Sequence, residues 1–391
     1  MTTRRQALAA LATWAAGPLG ARAEVAGPGA TQGAAATLAG AVTAPGDSMP
    51  SASGAGAPTR PPPTALAAAW DEAAGHRIGV LAAAPDGALR IQAALSVPTR
   101  AHGLLAEPGG SLLAVARRPG DWLLRFGRDG RRMREHWIGP EARFNGHLLA
   151  SPDGRRLYST ETDLDGGAGR IGVRDAASLE LLVHWPTHGL DPHELLWDSD
   201  GTLLVANGGI PTQPETGRAK RDLERMDPSL VRLDPADGRL LGQWRLEDPR
   251  LSVRHLARQG PLTAIALQAE HDDAARRAAA PVLALFDGAR LRLAETPPRT
   301  LAGYGGSVAG AGGRFFVGCP RAGGTGCWRA DGAWLGFAPL EEACALAASG
   351  NGVWSGGRDR GCWAEGPRDA AAPVGAGVAG LRLDNHWIAL G

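Results

Sequence analysis

The chain has 391 residues, with 56 Gly, 29 Pro and 41 basic against 40 acidic side chains, for a formal charge of +1. Near-neutral charge removes the clustered Lys and Arg on which nucleic-acid binding rests, so that class of partner is excluded. Abundant turn residues without long apolar helical patterns favour an all-β fold of many short strands, which can run long as one domain.

The amino terminus reads as a targeting segment over residues 1–23. Arg4-Arg5 precede an Ala-rich run from Ala7 to Gly17, and Ala21-Arg22-Ala23 offers a small-residue cleavage site. Paired arginines after Thr3 resemble a twin-arginine signal and predict a periplasmic protein. Ala7 stands where that signal usually has Phe, which leaves an ordinary secretory route open. No later stretch reaches the roughly 20 apolar residues that span a bilayer, so no transmembrane segment is expected after signal removal. Residues 24–63 are Ala, Gly, Pro, Ser and Thr with almost no large apolar side chain. Such a segment cannot offset its ordering entropy and is expected to be a disordered linker. The folded domain is expected over residues 64–391.

Three strand-like pieces open that domain, at 65–70, 77–82 and 88–95, with Pro85-Asp86-Gly87 as a turn. A repeat follows. His102, His147 and His193 each begin a short apolar strand, a Gly-bearing turn and a second apolar strand. The spacings are 45 and 46 residues, the period of a four-stranded propeller blade. His255, Ser307 and Cys344 open three further units, the first displaced by an insertion at 209–229. Asp384-Asn385-His386 opens a last strand where the chain stops. Three strands from the amino end and one from the carboxyl end complete a seventh blade. The sequence thus predicts a seven-bladed β-propeller closed by strands from both termini.

The His position opens each innermost strand, on the face where the blades connect. Polar residues beside it and at the end of the second strand belong to the same mouth. The expected ligand-binding set is Arg100, His102, His147, Glu161, Asp163, His193, Glu194, Asn207, Arg254, His255, Ser307 and His386. Arg218, in the insertion, joins it if that segment lies across the mouth as a lid. Neighbouring neutral imidazoles can hold a transition-metal ion, and His102, His147, His193 and His255 on the unbroken side of the ring are the expected ligands. Arginines argue for an anionic ligand as well. The plain alternative is that each His only hydrogen-bonds within its own blade, five copies of one structural device.

Other motifs are absent. Gly305-Gly306-Ser307-Val308-Ala309 fails the nucleophile-elbow pattern, so no catalytic residue is assigned. No Cys-x-x-Cys-His exists, which excludes covalent haem. Glu161 to Gly166 resembles half a calcium loop, but Gly172 stands where its closing Glu belongs, so a solvated hairpin is expected. Cys319 and Cys327 fall on neighbouring strands of one hairpin, where a disulfide is feasible; Cys344 and Cys362 are too far apart to bridge.

The runs Asp191-Pro-His-Glu-Leu-Leu, Val205-Ala-Asn-Gly-Gly-Ile, Gly217-Arg-Ala-Lys and Leu251-Ser-Val-Arg-His-Leu resemble the bacterial family catalogued as domain of unknown function 1513. Asn145-Gly-His147, Ser159-Thr-Glu-Thr-Asp163 and Asp384-Asn-His386 fit the same pattern. Here Ala269-Glu270-His271-Asp272 replaces the family's usual Gln and aromatic, and Leu148 its usual Gly. The resemblance implies exported periplasmic propellers associated with imelysin-like iron-uptake proteins and a di-haem oxidoreductase, with no established activity. The expected function is a periplasmic binding protein for a metal, metal complex or protein partner linked to iron uptake. A metal-dependent propeller enzyme (a lactonase-like hydrolase or oxidoreductase subunit) and a purely structural scaffold are the alternatives.

Overall fold

The computed structural model describes residues 64–84, 88–211, 220, 222–367, 377–378 and 380–391. The expected signal segment, the linker and Arg218 lie outside the described residues. Seven antiparallel sheets fill the described chain, and the one α-helix is a single short segment, Ala274–Ala279.

The first blade is mixed in origin: β1 (Thr64–Glu72), β2 (Gly75–Ala83) and β3 (Leu89–Val97) pair outward from the last strand, β27 (Arg382–Leu390). The register Ala65↔Leu390 to Asp71↔Arg382 joins the two ends of the domain. Five blades follow with four consecutive strands each. Their inner strands are β4 (Ala101–Ala106), β8 (Ala142–Ala150), β12 (Pro192–Trp197), β16 (Leu251–Gln259) and β20 (Ser307–Ala311). The seventh blade begins with β24 (Ala345–Ser349) and has three strands among the described residues. Each inner strand meets the next around the ring, and β24 meets β27. The expected seven-bladed propeller and its closure are both present.

The core lies between blades. In β5 (Leu112–Ala116) successive side chains point to opposite faces. Leu112, Ala114 and Ala116 pack toward the first blade, Leu113 and Val115 toward the third. Because both faces are covered, the strand is apolar at every position and fully buried. The same rule places the cysteines. Phe316 pairs with Cys327, while Cys319 pairs with Gly324. Cys319 packs with the fifth blade and Cys327 with the seventh, on opposite faces of their sheet. The expected disulfide is therefore corrected: all four cysteines are free and buried. Burial pushes the Cys319, Cys327 and Cys344 thiols up to about 12.

Candidate metal centre at the channel mouth

Five blades carry a His on the inner strand, and in each the pairing with the next strand slips at that residue. Between Ala101↔Ala116 and Leu104↔Ala114, β4 has one residue too many. The same single excess separates Pro192↔Asn207 from Leu195↔Val205 and Val253↔Leu267 from Leu256↔Ile265. Two extra residues stand between Phe144↔Glu161 and Leu148↔Ser159, and two between Trp387 and Leu383 opposite Ala68 and Trp70. The strands opening at Ser307 and Ala345 pair without a slip. A bulge breaks the alternation that would send a side chain into the neighbouring blade and re-aims it. Local residue types permit it: Gly146 has φ +103°, Asp191 has φ +53°, and a Cβ on Gly146 would lie 2.7 Å from the His102 ring.

The re-aimed imidazoles meet. His102, His147, His193 and His255 are buried and His386 is partly so, and ring centroids of His102–His386, His193–His255 and His255–His386 are 4.4, 4.5 and 4.7 Å apart. Nε2 of His193 lies 3.2 Å from Nε2 of His255, and Nε2 of His102 lies 3.3 Å from Nε2 of His386. His102 Nδ1 and His147 Nε2 are buried with no hydrogen-bond partner. Burial and the neighbouring imidazoles hold His102, His193 and His386 well below the usual imidazole range. Burial does the same for His147 against the attraction of Glu194. Burial, helped by Arg254, takes His255 down to about 3. The cluster is a set of neutral ligands.

Glu194 and Arg254 orient it. Glu194 Oε2 accepts the Leu256 backbone N–H at 2.7 Å and stands 3.1 Å from His255 Nδ1, while Oε1 is 3.7 Å from His147 Nδ1. Arg254 Nη1 donates to Asp191 Oδ2 at 2.8 Å and lies 3.4 Å from His193 Nδ1. A guanidinium has only donors, so His193 Nδ1 accepts and its proton sits on Nε2. That N–H faces His255 Nε2, whose own proton is then on Nδ1 toward Glu194. Carboxylate partners that fix an imidazole tautomer in this way are the usual outer support of metal-bound His.

Four of the imidazoles, His102, His147, His255 and His386, bring one nitrogen each within 4.8 Å of one another. Two nitrogens about 2.1 Å from a shared ion are roughly 3.0–3.4 Å apart as neighbours and about 4.2 Å when opposed. From the 4.8 Å spread the widest pair would draw in by roughly 0.6 Å to stand opposed in a planar set and by roughly 1.4 Å in a tetrahedral one. His386 stands in the group where sequence reasoning expected His193; coordination through His255 Nε2 would displace the His193 N–H that faces it.

Two cavities lie beside the cluster. An inner one of about 30 Å³, room for a water molecule or an ion, is lined by His102, His193, His255, Arg254, Arg117 and Tyr304 among others. Beyond it a vestibule of about 510 Å³ opens on the first, sixth and seventh blades, and Arg117, Tyr304 and Asn385 line both. The two blades without a mouth His leave the gap.

Other expected site residues do not reach this mouth. Glu161 is fully buried inside the third blade, bonded to Arg174 at 2.7 Å, His184 at 3.0 Å and Ser159 at 2.6 Å. Asp163 pairs with Arg170 in the same blade. Asn207, in the fourth blade, donates to the Thr187 carbonyl of the third at 2.9 Å. Ser307 lines neither cavity. The assignments of Glu161, Asp163 and Asn207 are corrected: strand-end position was taken for mouth position, but their side chains turn to partners on other strands. Arg100 does line the vestibule, paired with Asp384. The lid expectation falls largely outside the described residues; Lys220 within it pairs with Glu270. Sequence reasoning left Arg117, Tyr304 and Asn385 out of the ligand-binding set, and nothing in the repeat marks Tyr304.

The sequence model of a family described as protein of unknown function, DUF1513, matches residues 95–390. A search of curated proteins gave no match. Among solved structures, the chain is similar to a streptogramin B lyase (TM-score 0.54, 11% identity, 83% of this chain and 95% of that one). It is also similar to the hydrazine synthase of Kuenenia stuttgartiensis (TM-score 0.53, 13% identity, 71% and 89%). Virginiamycin B lyase from Staphylococcus aureus is a third (TM-score 0.51, 13% identity, 75% and 91%). At these identities the likeness concerns the fold alone.

Proposed function

The chain belongs to the DUF1513 family, and from the geometry of the mouth we propose that it is a binding protein for a divalent transition-metal ion, held by His102, His147, His255 and His386. One observation carries the reading: four neutral imidazoles from four blades bring nitrogens within 4.8 Å, over a carboxylate that fixes the tautomer of one of them. An all-imidazole set suits zinc, copper, nickel or iron and disfavours calcium and magnesium. A structural device would have each His bonded within its own blade, whereas here the contacts run between blades. The paired Arg4-Arg5 and the Ala-rich run behind them support export, so the ion would be taken up in the periplasm. A link to iron uptake is part of the same reading, and iron is among the ions to test.

Purified protein stripped with chelator and titrated with zinc, copper and iron is expected to take up one equivalent. A His147→Ala, His255→Ala double variant is expected to keep its circular dichroism spectrum and lose that uptake. Equal uptake by the folded double variant, or none by the parent protein, would overturn the proposal.

A further inference from the structure

The vestibule presents more positive charge than it neutralises. Arg100 is held by Asp384 and Arg358 by Glu342. Asp71 is occupied by His76 at 2.6 Å. Arg117 is half-buried at the neck, and its guanidinium makes no hydrogen bond or ion pair among the described residues. Arg321 stands over the Tyr304 ring, its guanidinium carbon 4.2 Å from the centroid, and is likewise without a carboxylate among the described residues. Behind the neck, Arg254 is 1% exposed and keeps Nε and Nη2 without partners on the wall of the inner cavity. Burial and Arg100 together make the charged form of Arg117 costly, so an anion beside it would relieve a tension already present. A cavity of about 510 Å³ is the size of a small-molecule site and far exceeds an inorganic oxyanion.

We propose that this vestibule binds a small organic anion carrying carboxylates, seated on Arg117 with Arg321 beside it and its inner end directed through the neck toward the imidazoles. A guanidinium meets a carboxylate as a two-pronged fork, and the gap left by the two His-free blades is the way in. The anion site stands without the metal; that the anion delivers the ion or completes its coordination rests on the function proposed above. In that case the cargo is an anionic metal chelate, with its metal at the imidazoles and its acid groups on the arginines.

Calorimetric titration of the metal-free protein with citrate, succinate and inorganic phosphate tests the site. Citrate is expected to bind, with about tenfold or greater weakening in Arg117→Met and an intermediate loss in Arg117→Lys, which keeps charge without the fork. Citrate binding unchanged in folded Arg117→Met overturns the proposal, as does no binding of citrate or succinate by the parent. Phosphate binding as tightly as citrate overturns the organic character of the ligand. Citrate binding without any metal uptake upholds the anion site and removes the metal reading; metal uptake without citrate binding does the reverse.

Discussion

Acid should destabilise this propeller through its histidines, and His255 allows the effect to be worked out. Its imidazole is 3% exposed, and burial with the neighbouring Arg254 takes it down to about 3 in the folded chain. In the unfolded chain it titrates at about 6.5. The unfolded state therefore binds a proton that the folded state refuses, and stability falls as pH drops below about 6.5, levelling only beneath about 3. Over the whole window the linkage amounts to roughly 5 kcal/mol, of which about 2 kcal/mol is lost between pH 7 and pH 5. His102, His147, His193 and His386 shift in the same direction and add to the loss. Glu194, raised by burial, acts oppositely: the folded state takes its proton more readily and gains stability as pH falls through its titration. In His255→Gln one titrating site disappears while the rest remain. Urea unfolding followed by circular dichroism at pH 7 and pH 5 should show the parent losing about 2 kcal/mol more than the variant over that interval. Equal losses would refute the buried, neutral state assigned to this ring.

Three more outcomes follow from the same contacts. Glu194→Gln keeps an oxygen for the Leu256 N–H but removes the charge that holds the His255 tautomer, so zinc affinity by calorimetry should fall about 10–100-fold with the fold intact; unchanged affinity would remove Glu194 from the site. Glu161→Ala strands the buried Arg174 and should cost about 3–5 kcal/mol in thermal or urea unfolding without changing metal stoichiometry, whereas lost uptake at unchanged stability would return Glu161 to the mouth. Ending the chain at Gly380 removes β27 and leaves the edge of β1 unpaired, so size-exclusion chromatography should show aggregate, and a monomer with native circular dichroism would refute the closure.

The architecture was legible because it is repeated. His102, His147 and His193 set a period of 45 and 46 residues, and hairpin turns with Gly at fixed places divided it. The site was legible only in part, because strand position alone does not say where a side chain points. Glu161 and Asn207 sit at strand ends, as expected, but Arg174 draws Glu161 into its own blade and the Thr187 carbonyl draws Asn207 against the neighbouring one. Those partners lie on other strands, 13 and 20 residues away, beyond the reach of any local pattern. Arg117 follows directly on β5, and nothing in the sequence marks its guanidinium as lacking a partner. Lacking one is a property of the assembled mouth.

The backbone slip at each His had no sequence signature beyond Gly146 and Asp191, yet it decides what the ring can do. A one-residue excess, as at His102, His193 and His255, moves a side chain from one face of a strand to the other, and the two-residue excess at His147 and His386 takes three residues out of the ladder. In these irregular stretches the five imidazoles are released from the alternation of the strand, and they converge. The two blades that lack the His also lack the slip, so the break in the ring is built into their pairing and is more than a change of side chain. Ser307 shares the face of Ala309 and Ala311, which pack against the seventh blade. A His at that position would therefore not restore the ring. The regular pairing of these two blades keeps bulk out of the mouth on one side, and the vestibule with Arg117 at its neck occupies the space thus left. Imidazole cluster and arginine-lined approach are two consequences of one distribution of bulges, present in five blades and absent from two.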